Sequence, residues 1–251
     1  GVAGKPLSIE LFPSLRALED DFDAVRREVA PLVDDISWRV PTMQSTYNHM
    51  FLNATARTQK RWYHGITTHM WRLLYGKHLD IFDRIATDKW RTLNLILYGH
   101  IILENMHFCP RLVSHLAELD CVQTALLSFM QPGAHVPPHS DPATGVLRYH
   151  LAFVVPKDAE RCYILVDGQK YVWKEGESVI FDTVYEHEVH NDTEECRVVL
   201  FVDLHRSLTG AAKWLQDLAN TANRYSPGTQ LVIDKSGVHS EQLITDSAKG
   251  G

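Results

Sequence analysis

Residues 162–182 read CYILVDGQKYVWKEGESVIFD, and this stretch decides the fold class. CYILV, QKYVW and SVIF are short runs rich in β-branched and aromatic residues, the composition of strands. Asp167-Gly168 falls between the first two. An Asp-Gly pair between strand-like runs is a strong hairpin signal, because a tight hairpin turn needs residues that accept positive φ. Glu175-Gly176 separates the second run from the third. Outward from this stretch the texture persists: VQTALLSFM (122–130), VLRYHLAFVV (146–155) and CRVVLFVDL (196–204) are apolar or alternating. Closely spaced strands with turn signals predict a β-sandwich or jelly roll rather than a parallel sheet.

The flanks read differently. Residues 14–33 predict an amphipathic helix, with Ser14 as N-cap and Leu15, Leu18, Phe22, Val25 and Val29 stepping by three or four. Cys109-Pro110 opens a second helical pattern, RLVSHLAEL, and AAKWLQDLANTA follows Arg206. Residues 38–108 are mixed and aromatic-rich, a stretch more often core than binding site. The expectation is one domain over 1–251, mainly β with flanking helices: an N-terminal flank at 1–120, a β core at 121–206, and a C-terminal helix and tail at 207–251.

With 251 residues, 45% of them hydrophobic and 22% charged, the chain is long enough for a sizeable core without a disulfide or metal staple. Its net charge of −6 argues against a phosphate-driven partner, so no nucleic acid is expected. Cys109, Cys121, Cys162 and Cys196 form no C-x-x-C pair; the last three fall at predicted strands and read as buried and inert. With no visible signal peptide and no run of 18 apolar residues, the expectation is a cytoplasmic chain without a membrane span, although a start at Gly1 leaves room for a removed segment.

Fourteen histidines stand out. Two histidines and a carboxylate on one face of a small β-barrel suit a ferrous ion, leaving positions open for a co-substrate and oxygen. In sequence this set is often His-x-Asp at a strand end, where i and i+2 share a face, plus a distal histidine on a later strand. His-x-Asp alone is a weak signal, and it occurs three times, at His78, His139 and His190, with His239-Ser240-Glu241 as a variant. His78 lies in a helical-looking stretch, where i and i+2 diverge by about 200°. His190-Asn191-Asp192 has no strand-borne histidine at a plausible distance beyond it, and His239 lies in the tail. His139-Ser140-Asp141 follows the loop QPGAHVPP, and His187 comes 46 residues beyond Asp141. Arg197 follows ten residues later, inside an apolar strand. A co-substrate carboxylate held at depth needs a fixed, forked cation, which arginine supplies better than lysine. The alternative is an Arg197 paired with a core carboxylate such as Asp182.

PGAHVPPHSDPATGVLRYHLAFVVP, VWKEGESVIFD and YEHEVHNDTEECRVVLFVDL resemble the aspartyl/asparaginyl β-hydroxylase family, densely from about Ser128 to Leu204 and more weakly back through Trp90, Gly99 and Cys109-Pro110. The resemblance implies a double-stranded β-helix core, cupin-like, and an Fe(II)- and 2-oxoglutarate-dependent dioxygenase that uses molecular oxygen. It implies iron on His139 and His187, and 2-oxoglutarate contacts at Ser128, Arg148, His150 and Arg197. The animal peptide hydroxylases have glycine where this chain has Asp141. Asp141 restores a full triad, as in bacterial lipid A acyl-chain hydroxylases and some free-proline hydroxylases, and it leaves no vacancy for the halide of a halogenase. An amino-acid, peptidyl, small-molecule or acyl substrate all stay open, as do desaturation or another oxidative rearrangement, and a non-catalytic cupin-like module.

Other residues keep two readings. His135 lines the pocket or is an ordinary loop histidine. Arg148 and His150 share a strand face that points into the barrel or into solvent. Glu186 and Glu188 flank His187 and read as solvated. Asn53-Ala54-Thr55 and Asn191-Asp192-Thr193 fit a glycosylation sequon that no secretory signal supports. The 38–108 stretch is the candidate substrate lid, with Trp62, Tyr63 or His64 contributing.

Overall fold

A computed structural model describes residues 5–35, 89–141, 145–225, 229–230 and 233–234. Trp62, Tyr63, His64, the decoys at His78 and His239, and Asn53 lie outside the described residues.

Asp167 (φ 48°) and Gly168 (φ 74°) both adopt positive φ, and they join β6 (Cys162–Val166) to β7 (Gln169–Val172) as an antiparallel hairpin pairing Val166 with Gln169. The remaining strands are β1 (Trp90–Leu97), β2 (His100–Ile101), β3 (Val122–Met130), β4 (Ala134–His139), β5 (Val146–Val154), β8 (Ser178–Phe181), β9 (His187–Asn191) and β10 (Arg197–His205). They form two antiparallel sheets, ordered β2-β1-β3-β10-β5-β8 and β4-β9-β6-β7. From β3 onward the chain crosses repeatedly between them: β3, β5, β8 and β10 lie in the larger sheet, and β4, β6, β7 and β9 in the smaller. This winding is a double-stranded β-helix, the jelly roll expected of the core. Its eight strands fall within 121–206. The larger sheet also gains β1 and β2 from the aromatic-rich stretch, through the β1–β3 ladder.

Every residue of β3 is buried, and all but the last of β5, because both faces of the larger sheet are covered. Tyr149, Leu151, Phe153, Leu127, Phe129, Val198 and Leu200 pack against the N-terminal helices. Ser128, Arg148, His150, Arg197 and Phe201 alternate with them and line a cavity between the sheets. Beside that cavity, Val136, Ile164, Val166, Trp173, Val179 and Val199 form a second apolar cluster.

The single helix predicted over 14–33 is instead broken into α1 (Arg16–Asp20), α2 (Phe22–Val29) and α3 (Leu32–Asp35). Ser14 lies inside a 3-10 turn and caps nothing by its side chain. The first break is at Asp21, whose carboxylate accepts hydrogen bonds from Arg111 and pairs with His115, both on α4 (Pro110–Ala117). The second is at Pro31, which has no N–H to continue the ladder. The apolar stripe survives the breaks: Leu15, Leu18, Val25 and Val29 are buried, and the Phe22 ring stacks on Phe153 with centroids 5.6 Å apart. After β10, α5 (Gly210–Arg224) lies with Gln216 donating to the Gly145 carbonyl. Among the described residues no helix is long and apolar enough to cross a membrane.

Candidate metal and co-substrate site

His139 ends β4 and His187 begins β9, and the two are cross-strand partners. Both rings therefore point to the inner face of the smaller sheet, with centroids 4.1 Å apart. His139 Nδ1 lies 2.9 Å from the Pro137 carbonyl and His187 Nδ1 3.0 Å from that of Tyr185. With Nδ1 donating to the backbone, each ring turns Nε2 toward the cavity as a free lone pair, the arrangement found behind metal-bound imidazoles. His187 Nε2 is buried with no hydrogen-bond partner. Asp141 completes the set: one ligand atom from each of the three residues lies within 4.8 Å of the others. Its N–H donates to the Thr183 carbonyl at 2.9 Å, which ties the loop after β4 to the turn after β8.

The electrostatics suit a cation. Burial, then the neighbouring His139, pushes the His187 pKa down to about 4, and burial lowers His139 as well. Burial acts to raise Asp141, but Arg148 and the two imidazoles outweigh it and hold the carboxylate below its usual range. Two neutral imidazoles and one carboxylate are thus available at neutral pH. This donor set and the orphaned His187 Nε2 fit a divalent metal with open positions, iron included.

Deeper in the same cavity lies Arg197. It is 2% exposed, and burial lowers its pKa to about 10, which leaves it charged. Its Nη2 donates to Ser128 Oγ at 2.9 Å, its guanidinium lies 4.5 Å from the centre of the Trp173 ring, and its Nε has no partner. Asp182 does not serve it; Asp182 pairs with Arg206 at 2.8 Å. Both ring nitrogens of His150 are also buried and unpartnered, and burial followed by the Arg197 charge holds that imidazole well below its ordinary pKa. A buried cation with unspent donor capacity beside a neutral imidazole fits a small carboxylate ligand such as 2-oxoglutarate.

Arg148 sits otherwise than a co-substrate contact alone would require. Its Nη2 donates to Asp141 Oδ2 at 2.8 Å, its Nε donates to Asp203 Oδ1 at 2.9 Å, and its guanidinium lies 3.9 Å from the centre of the Phe201 ring. Sequence reasoning missed Asp203, and it named Trp90 as a point of resemblance without giving it a role. Asp203 lies opposite Arg148 in the β5–β10 register, a pairing that no local sequence pattern marks. Trp90 Nε1 donates to Ser128 Oγ at 3.0 Å.

His135 does not line this cavity. It faces outward from β4, with Nε2 2.6 Å from Asp192 Oδ1. Glu188 is half-buried and 3.4 Å from His190, whereas Glu186 is exposed. Asn191 of the sequon is buried, its amide donating to the carbonyls of Met130, Gln131 and Glu195. Cys121 and Cys196 flank strands rather than lying in them; all four thiols are free, and burial pushes Cys109, Cys162 and Cys196 up to about 12, 11 and 12.

The sequence model of one family, described as aspartyl/asparaginyl beta-hydroxylase, matches residues 19–207. That match begins well before Ser128, where the motifs become dense. An ornithine lipid ester-linked acyl 2-hydroxylase of Rhizobium tropici is 37% identical over 151 residues, covering 57% of this chain and 54% of the relative. The human aspartyl/asparaginyl beta-hydroxylase is 43% identical over 83 residues, 33% of this chain and 11% of that protein. The chain thus spans about half the length, or less, of these curated relatives. Among solved structures, an oxidoreductase of the 2OG-Fe(II) oxygenase family from Burkholderia pseudomallei has a TM-score of 0.33 at 13% identity, over 47% of this chain and 68% of that one.

Proposed function

The chain belongs to the aspartyl/asparaginyl β-hydroxylase family, and on that premise we propose that it is an Fe(II)- and 2-oxoglutarate-dependent dioxygenase that hydroxylates an unactivated C–H bond. One observation carries the reading: the His139–Asp141–His187 set meets at a cavity that both histidines line together with Arg197, a buried cation that no carboxylate among the described residues neutralises. His139, Asp141 and His187 hold the metal. Fe(II) held there would supply, with 2-oxoglutarate and oxygen, the oxidising power for hydroxylation, with succinate and CO2 as co-products. Arg197, oriented by Ser128 and Trp173, anchors the far carboxylate of 2-oxoglutarate. His150 is a neutral neighbour that adds no competing charge. Arg148 holds Asp141 Oδ2, so Oδ1 would be the oxygen free to ligate a metal. The apolar walls at Val136, Ile164, Val189 and Phe181 keep water from the reacting centre.

The substrate is an amino-acid, peptidyl or acyl group. The acyl reading draws support from the Rhizobium relative, which aligns over 151 residues against 83 for the human protein. The test is succinate formation from 2-oxoglutarate by Fe(II)-loaded protein. Turnover should be slow without substrate, fall severely in Asp141→Ala, and demand far more 2-oxoglutarate in Arg197→Ala. Normal turnover in Asp141→Ala would sink the assignment.

A further inference from the structure

The smaller sheet carries a second His/His/Asp set on its other face, and we propose that His135, His190 and Asp192 bind a divalent ion of the zinc, nickel and copper class. Side chains alternate along a strand, so β4 and β9 present histidines to both sides. His139 and His187 point inward; His135 and His190, themselves cross-strand partners, point outward. Their ring centroids are 4.9 Å apart. Asp192 follows β9 and reaches back to His135, with Nε2 and Oδ1 2.6 Å apart. One ligand atom from each residue lies within 4.8 Å of the other two, the same bound that the interior set meets.

The site is also partly pre-organised. The His190 ring stacks on Tyr163 of β6 at 4.9 Å and 14°, which fixes its plane, and its Nε2 makes no hydrogen bond. Glu188, two residues before it on the same face, brings a carboxylate oxygen to 3.4 Å from that nitrogen and offers a fourth donor. Two imidazoles with carboxylate oxygen select borderline ions; calcium and magnesium prefer all-oxygen shells. The adjoining hollow is lined by Lys89 and Arg161 as well as Glu194, so the carboxylates at 192 and 188 must offset a basic rim. His135 and Asp192 are open to solvent, so the site can load from outside without access to the interior cavity.

Zinc titration of the full chain by equilibrium dialysis with metal analysis tests this. Wild type should bind two equivalents. His135→Asn/Asp192→Asn, which changes only exposed groups, should bind one. His139→Ala/His187→Ala should bind one, lost when the outer pair is also replaced. Co(II) in the interior double variant should give a visible absorption band that zinc displaces. If wild type and the His135→Asn/Asp192→Asn variant bind the same amount, the outer site is overturned, whatever the interior variant does. If the interior double variant keeps both equivalents, the reading of the interior site fails and the outer site stands.

Discussion

Arg148 shows how one residue can serve a site it does not complete. It clamps one Asp141 oxygen at 2.8 Å, while Asp203, its cross-strand neighbour, clamps Arg148 at 2.9 Å. Residues behind metal ligands typically govern affinity by roughly 10–100-fold. Arg148→Gln should therefore weaken Co(II) or Fe(II) binding by about that factor without unfolding the protein, as a metal titration would read. An affinity equal to wild type would mean that Asp141 is oriented by the Thr183 contact alone. The motif around Arg148 was legible in sequence, but its partner was not: Asp203 lies 55 residues away, and only the β5–β10 register brings the two together.

At the scale of elements, the broken N-terminal helix still seals the outer side of the larger sheet. Leu18 is 1% exposed within that seal. Leu18→Ala should cost about 2–5 kcal/mol in urea unfolding, the range for a buried leucine truncated to alanine. A cost well below that range would show that α1 docks loosely. The strands β3, β5, β6, β7, β8 and β10 were legible because two-sided burial or a hairpin turn wrote them plainly. β4 was hidden by Pro137 and Pro138, which cannot donate to a ladder and read as loop. The structure admits them because β4 is the edge of its sheet, and the register shifts between Val136 and His139. β9, HEVHN, was legible only as the strand expected to carry His187, its apolar pattern broken by polar residues, and β1 was hidden by the mixed aromatic stretch around it.

At the scale of the molecule, the polar interior makes stability depend on pH. Burial, with the charges of Arg197 and Arg148, holds His150 well below the 6.5 of a free imidazole. The unfolded chain then takes up the proton before the folded one, so this contribution is intact above 6.5 and is lost as pH falls below it. The melting temperature of the metal-free protein should drop on acidification through that range, and less steeply in His150→Gln. Equal slopes would exclude His150 as a source. The jelly roll as a whole was readable from its turns and runs, and so was the His139–Asp141–His187–Arg197 spacing. The outward pairing of His135 with His190 was not, because it depends on which way β4 and β9 face.

The crossing of the chain between two sheets has a consequence for how the protein comes into being. His139 and His187 are 48 residues apart, and between their strands the chain visits the larger sheet twice, as β5 and β8. The β4–β9 pair therefore closes a loop that contains β5 to β8, a long-range contact of the kind that slows folding. β10 comes later still and is the strand that joins β3 to β5, so Arg148 and His150 gain their cross-strand partners on β10 only once the chain has passed β9. A chain that ended before β10 would therefore carry His139, Asp141 and His187 without Arg197 or Asp203, so the ligand set and the charged groups that surround it are completed only by the last strand.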